Sequence, residues 1–272
     1  MTTLTTHRWR LAAVALGFLT GCASTQSVPP AARSELITTG KLRVGLILSN
    51  QVLVTRDPQT DQLRGVTVSL GKSLAKRIGV PFEPVGYPNP AALVQSFGRD
   101  EWDIAFLAID PVRARDVDFS PPYMMVDNTY LVPAGSKVRN VEMADQPGVK
   151  IAVPERSAPD LFLSRNLKAA EIIRVPGGAD AAIEVLRSGR ADAYAENAHM
   201  LSLYSDRLPG SRVLAGRYTL IQHAVATPKG RRAAAEYVRQ FIEETKRDGT
   251  IRDAIAQAGL RRTVVAEPPP AK

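Results

Sequence analysis

Trp102-Asp103-Ile104-Ala105-Phe106-Leu107-Ala108-Ile109 is an apolar run interrupted only by one acid near its start. A short continuous run of this kind suits a strand buried on both faces, as in a parallel sheet. Working toward the N-terminus, residues 91–97 read as a helix and residues 81–85 as a strand. Residues 65–78 carry Val66, Leu70, Leu74 and Ile78 at four-residue intervals, one face of a helix that Gly79 stops. Residues 41–48 (KLRVGLIL) form another apolar strand. Strand, helix, strand, helix, strand specifies a doubly wound α/β unit.

Toward the C-terminus the pattern returns. Residues 149–153 are a strand, and residues 157–167 a helix with Ser157 as N-cap and Asp160 three positions on. Residues 172–175, 179–187 and 191–195 continue as strand, helix, strand, and residues 231–246 and 251–258 are helical. The Glu267-Pro268-Pro269-Pro270 run marks residues 263–272 as a disordered tail. Two α/β units of similar size imply a cleft between them, and such clefts hold ligands at strand C-terminal ends.

Composition narrows the function. The 272 residues are 44% hydrophobic, 23% charged and 6% aromatic, an ordinary globular mixture. One cysteine excludes an intrachain disulfide and any cysteine-pair zinc site, and three histidines leave little room for a histidine-rich metal centre. The +8 net charge is spread along the chain. Its densest cluster, Lys229-Gly230-Arg231-Arg232, has no interleaved aromatics, so nucleic acid is a weaker reading than small anions or lipid headgroups.

Residues 1–21 read as a secretory signal, with basic Arg8 and Arg10 before the apolar run LAAVALGFL at residues 11–19. That run is too short for a bilayer, which needs about 20 apolar residues. Leu19-Thr20-Gly21-Cys22 resembles the bacterial lipobox, making Cys22 the lipidated new N-terminus. Loss of Arg8 and Arg10 and no acid takes the net charge from +8 to +6. Residues 22–35 read as a tether between lipid and domain.

Several segments together carry a family resemblance. They are Lys41-Leu42-Arg43-Val44-Gly45, Gly65-Val66-Thr67-Val68-Ser69-Leu70, Ala75-Lys76-Arg77-Ile78-Gly79 and Trp102-Asp103-Ile104. Pro111-Val112-Arg113, Asp118-Phe119-Ser120-Pro121-Pro122-Tyr123, Arg187-Ser188-Gly189-Arg190-Ala191-Asp192-Ala193 and Asp248-Gly249-Thr250-Ile251 complete the set. In order and spacing the chain resembles the bacterial extracellular solute-binding proteins of family 3, the polar amino-acid receptors of ABC importers. The resemblance covers residues 35–260. It implies the type II periplasmic binding protein fold, two α/β lobes joined by two hinge strands. Residues 36–125 and 222–262 would form lobe 1, and residues 126–221 lobe 2. It also implies closure on ligand and presentation to a membrane permease.

The resemblance assigns Arg113, five residues before the Asp-Phe-Ser motif, to the ligand's carboxylate. A guanidinium suits that task through two parallel hydrogen bonds, and Pro111 places Arg113 near a helix start, where free N–H groups favour an anion. Its competing reading is an exposed helical arginine, with Arg115 as a rival. Ser157 and Ala158 match the hydroxyl residue and backbone N–H at the start of a lobe-2 helix, and Arg156 stands where the family usually has glycine.

Other positions depart from the pattern. Asn197, with Glu196 beside it, occupies the place of an aspartate that pairs with the ligand's amine, and Ala108 the place of a hydroxyl residue. An asparagine cannot neutralise an ammonium. In place of the usual aromatic clamp are the loop containing Asn50, and Tyr87, which either stacks on a ligand or caps the lobe. These departures lean toward an organic anion or a modified amino acid. His199 and His223 read as structural, and Met124-Met125 as core.

No P-loop, dinucleotide fingerprint or Gly-x-Ser-x-Gly elbow is present, and Pro176-Gly177-Gly178 reads as a plain turn. The leading expectation is a monomeric, lipid-anchored, non-catalytic periplasmic receptor. It would take a small carboxylate-bearing solute for an ABC importer permease, with no cofactor, metal or nucleic acid. The alternatives are a cyclohexadienyl dehydratase-like lyase on the same fold, with Glu196 as general acid, and a ligand-sensing partner-binding module.

Overall fold

The computed structural model describes Met1 and residues 28–267. The signal sequence after Met1, the lipobox and Cys22 lie outside the described residues. The chain begins with α1 (Pro30–Leu36), β1 (Leu42–Ile47) and a small hairpin of β2 (Thr55–Arg56) and β3 (Leu63–Arg64). It continues with α2 (Val66–Ile78), β4 (Phe82–Tyr87), α3 (Pro90–Gln95), β5 (Ile104–Ala108), β6 (Val117–Phe119) and β7 (Met124–Val132). A second unit follows as β8 (Lys150–Pro154), α4 (Ala158–Asn166), β9 (Glu171–Val175), α5 (Ala179–Arg187), β10 (Ala193–Asn197), α6 (Ala198–Ser205) and β11 (Arg212–Val213). The chain then returns through β12 (Thr219–Pro228), α7 (Arg232–Arg247), α8 (Thr250–Gln257) and β13 (Thr263–Val265).

The main sheet has the order β4-β1-β5-β12-β7-β10-β8-β9. Parallel β1, β4 and β5 make the lobe-1 half, and parallel β8, β9 and β10 the lobe-2 half. The long strands β7 and β12 join the halves, running antiparallel from Thr219 opposite Asn128 to His223 opposite Met124. Beyond that overlap, β12 pairs with β5, placing His223 opposite Ala108, and β7 pairs with β10, placing Asn128 opposite Asn197. The two hinge strands therefore bring residues from both lobes to one cleft.

Local sequence explains the elements. Gly79 caps α2 in the left-handed conformation at φ 71°, which L side chains rarely adopt. Asn89 caps α3 by accepting from Ala92 N at 2.9 Å. Asp103, fully buried, accepts from Arg43 N and Arg43 Nη2, both at 2.8 Å, tying β1 to the start of β5. The Arg43 and Asp103 positions of the family motifs thus serve the scaffold.

Strand alternation divides the core. Ala193 and Ala195 of β10 face a small lobe-2 cluster with Ile151 and Val153, while Tyr194 joins the larger cluster that continues into lobe 1. Glu196 shares the parity of Tyr194, which turns it away from the small cluster.

Two segments differ from their sequence reading. Part of the expected tether is folded: α1 buries Ala32 and Leu36. Glu35 Oε2 accepts from Ala234 N at 2.8 Å and Arg33 donates to Ile78 O at 2.7 Å. Polar composition hid this helix because only two of its side chains need an apolar contact. The expected disordered tail also begins too early. Thr263–Val265 adds a strand to β7, and Ala266, buried, donates its N–H to Tyr123 O at 3.1 Å. Backbone pairing with the hinge strand orders this stretch despite the prolines that follow.

Candidate functional site

The lobes enclose a small cavity of about 40 Å³. Lobe 1 contributes Asn50, Ala108 and Arg113, lobe 2 contributes Ser157, Ala158, Glu196 and Asn197, and β12 contributes Ile221 and His223. Six of the seven expected ligand contacts thus converge, although they lie on separate elements. Tyr87 does not line this cavity. It is buried, and its hydroxyl donates to Glu101 Oε2 at 2.7 Å, so the lobe-capping alternative describes its position.

Arg113 is only 3% exposed. Its Nη1 donates to Ala108 O at 2.9 Å and its Nη2 to Arg156 O at 2.8 Å, linking lobe 1 to lobe 2. Its Nε is buried without a hydrogen-bond partner. Burial lowers the guanidinium to about 10, against the attraction of Asp110. A buried cation hydrogen-bonded to neutral carbonyls, with Nε and the second N–H of each terminal nitrogen unused, is suited to an anion. The expected helix start is a single 3-10 turn, Arg113–Arg115, in which Asp110 Oδ1 accepts from Val112 N at 2.8 Å. The anion preference therefore comes from the guanidinium itself; that short turn supplies no helix terminus.

Ser157 caps α4, its Oγ accepting from Asp160 N at 3.2 Å. Arg156 has φ 55°, the left-handed region that favours glycine. This accounts for glycine as the usual family residue there. The Arg156 side chain is exposed and does not line the cavity, so it neither narrows the pocket nor adds charge to its wall.

Asn197 is committed to structure. Its Oδ1 caps α6 by accepting from Met200 N at 2.9 Å, and its Nδ2 donates to Glu196 Oε1 at 3.0 Å. The same Glu196 oxygen accepts from Asn197 N at 2.9 Å, which leaves Oε2 without a hydrogen bond in a residue that lines the cavity. Desolvation raises the Glu196 carboxyl to about 7, opposed by the two hydrogen bonds from Asn197. Among the described residues lining the cavity, Glu196 is the one carboxyl. An acid thus stands one position before the expected amine partner.

His223 lines the same cavity beside Arg113. Burial, with a smaller effect from Arg113, lowers its imidazole to about 3, so it stays neutral. Its Nδ1 is buried without a partner. Its isolation in the chain hid it, since the lobe-1 contacts appear only through the β12–β5 register. His199 lies elsewhere, where its Nδ1 accepts from Arg261 N at 3.4 Å.

A cleft between two α/β lobes, crossed by two hinge strands and lined by a buried arginine and a carboxyl, defines a periplasmic binding protein of type II. Residues 42–258 match the family model of bacterial extracellular solute-binding proteins, family 3, and the chain belongs to that family. The glutamine-binding protein of an ABC transporter from Bacillus subtilis is 23% identical over 214 residues, covering 77% of each chain. Cyclohexadienyl dehydratase from Pseudomonas aeruginosa is 26% identical over 196 residues, covering 69% of this chain and 71% of its own. The crystal structure of an ancestral amino acid-binding protein, described as a precursor of cyclohexadienyl dehydratase, superposes with a TM-score of 0.68 at 26% identity. The match covers 83% of this chain and 97% of that one. The family comprises extracellular, amino-acid-binding components that serve ABC transporters, although the Pseudomonas relative shows that it also includes an enzyme.

Proposed function

We propose that this chain is a lipid-anchored receptor that captures a small zwitterionic solute, an amino acid or a close derivative, for an ABC importer. The observation that carries this reading is a guanidinium and a carboxyl on opposite lobes of one cavity. Arg113 of lobe 1 takes the ligand's carboxylate, and Oε2 of Glu196 on lobe 2 takes its ammonium. A ligand held at both ends joins the lobes, so binding energy drives hinge closure. Glu196 restores the amine site that Asn197 could not supply, which shifts the reading from an organic anion toward an amino acid. Cys22 carries the lipid, and a permease receives the closed form.

A thermal-shift panel tests this reading, with glutamine, arginine, lysine and cysteine beside dicarboxylates and opines. At about 100 times its dissociation constant a ligand adds about 2.7 kcal/mol of stability. A shift from an amino acid that is lost in both Arg113→Ala and Glu196→Gln supports the zwitterion reading. A shift from a plain dicarboxylate that survives Glu196→Gln restores the organic anion. Incorporation of an alkyne fatty acid in wild type, absent in Cys22→Ser, tests the anchor.

One observation favours a second reading, a dehydratase. A carboxyl held to about 7 beside a cavity is suited to donate a proton to a leaving hydroxyl near neutral pH. Turnover of a carboxylated cyclohexadienyl compound by wild type and not by Glu196→Gln would establish it. Binding of an amino acid without such turnover supports the receptor.

A further inference from the structure

We propose that His223 is a ligand-binding residue, the second hydrogen-bond donor of the carboxylate subsite, beside Arg113. The inference rests on the receptor reading and names a determinant of specificity within that same site. In the β12–β5 ladder His223 stands opposite Ala108, and the Ala108 carbonyl accepts from Arg113 Nη1 at 2.9 Å. One strand pairing therefore sets an imidazole next to the guanidinium, and Ala108, Arg113 and His223 all line the cavity. His223 is 7% exposed, and its Nδ1 is sealed off without a partner. No hydrogen bond engages Nε2 within the described residues, so that nitrogen provides the ring's polar contact with the cavity.

A neutral imidazole has one N–H and one lone pair. Nδ1 is sealed and unpartnered, so Nε2 is the nitrogen through which the ring can meet a bound anion. The proposal therefore places the proton on Nε2, where it donates to a bound carboxylate. Arg113 has already engaged Nη1 and Nη2 with carbonyls. A ligand carboxylate offers two oxygens, and Arg113 with Nε2–H of His223 presents donors from adjacent groups. Because the ring stays neutral, it recognises the carboxylate without adding a second buried cation. Arg113 is the charged group that faces it.

The test uses the full chain labelled with ¹⁵N-histidine, with His223 assigned by its loss in His223→Gln. Long-range ¹H–¹⁵N correlation spectra are recorded from pH 5 to 8 during titration with formate and, separately, with L-glutamine and L-arginine. The expected result is an Nε2–H tautomer that does not titrate, whose Nε2 resonance moves on addition of formate in wild type and not in Arg113→Ala. His223→Gln, whose amide nitrogen sits near the Nε2 position, keeps amino-acid binding, while His223→Phe weakens it roughly ten- to a hundred-fold. An Nδ1–H tautomer overturns the inference. So does an amino acid that binds by calorimetry while Nε2 stays still, an outcome that leaves the receptor reading intact. A formate response without any amino-acid binding keeps the anion subsite and removes the receptor reading. Silence to both removes both.

Discussion

Arg165 of α4 places its Nη2 2.6 Å from Oδ2 of Asp110, two residues beyond the end of β5, so a lobe-2 cation grips a lobe-1 carboxylate. Asp110 is nearly buried and Arg165 half open to solvent. The pair lies at the same end of the cleft as the Arg113 bond to Arg156 O. Two polar contacts therefore hold the lobes together on the carboxylate side.

Replacing Arg165 with alanine should loosen closure and leave the fold intact. Because one partner is largely exposed, the pair contributes about 1 kcal/mol at most, about a fivefold weaker ligand affinity. Small-angle scattering of the ligand-free variant should show a larger radius of gyration than wild type. An unchanged radius would mean that the pair does not hold the lobes.

Arg113→Met should remove ligand binding without destabilising the ligand-free protein. The methionine fills much of the space and relieves a buried cation that has no carboxylate partner in the described fold. Losing the charged anchor should weaken affinity by about 2 kcal/mol or more, at least about thirtyfold. Calorimetry and thermal melting together check this. A lower Tm with retained binding would assign Arg113 to the scaffold.

Glu196 sets a pH dependence. Its carboxyl is raised from 4.5 to about 7, so the fold holds the proton more tightly than the unfolded chain. The resulting stabilisation is fully present below about pH 4.5 and is lost as pH rises through about 7. Its upper bound is about 3 kcal/mol. Denaturant melts of Glu196→Gln should lack this decline. An ammonium docking on Glu196 displaces the proton, so wild-type affinity should rise toward pH 7. At pH 6 the heat of binding should depend on the buffer's ionisation enthalpy. Buffer-independent heat would place the amine elsewhere.

Arg156→Gly should raise the Tm. The left-handed conformation costs a non-glycine residue about 1–2 kcal/mol, partly offset by the greater freedom of glycine in the unfolded chain. A gain of about 0.5–1 kcal/mol corresponds to a few degrees at this size. A loss would show that the exposed guanidinium stabilises the loop.

Leu36→Ala should destabilise the protein by about 2–5 kcal/mol, the usual cost of such a cavity in a core. Leu36 is fully buried in α1. A variant as stable as wild type would return this segment to the role of a tether.

Much of the scaffold was legible because its signals are local. The four-residue repeat from Val66 to Ile78 and the stop at Gly79 marked α2, and the apolar run around Phe106 marked β5. Ser157 announced its helix through a cap that needs only three neighbouring residues. α1 and β13 were missed because each is ordered by a distant partner, α7 for one and β7 for the other. Tyr87 has the residue type of an aromatic clamp, yet its hydroxyl belongs to Glu101.

By itself the sequence determined the alternation of strands and helices, and its resemblance to a family pointed to Arg113 as the ligand's anchor. The alternation follows from periodicity and caps, which act over a few residues. The tertiary structure alone decided that Glu196 rather than Asn197 presents its free oxygen to the cavity, and that His223 joins Arg113. The α6 cap that takes Asn197 Oδ1 and the register of β12 against β5 settle which polar groups the cavity receives. Register is a relation between strands far apart in the chain, and a slip of one residue would turn each of these groups to the opposite face.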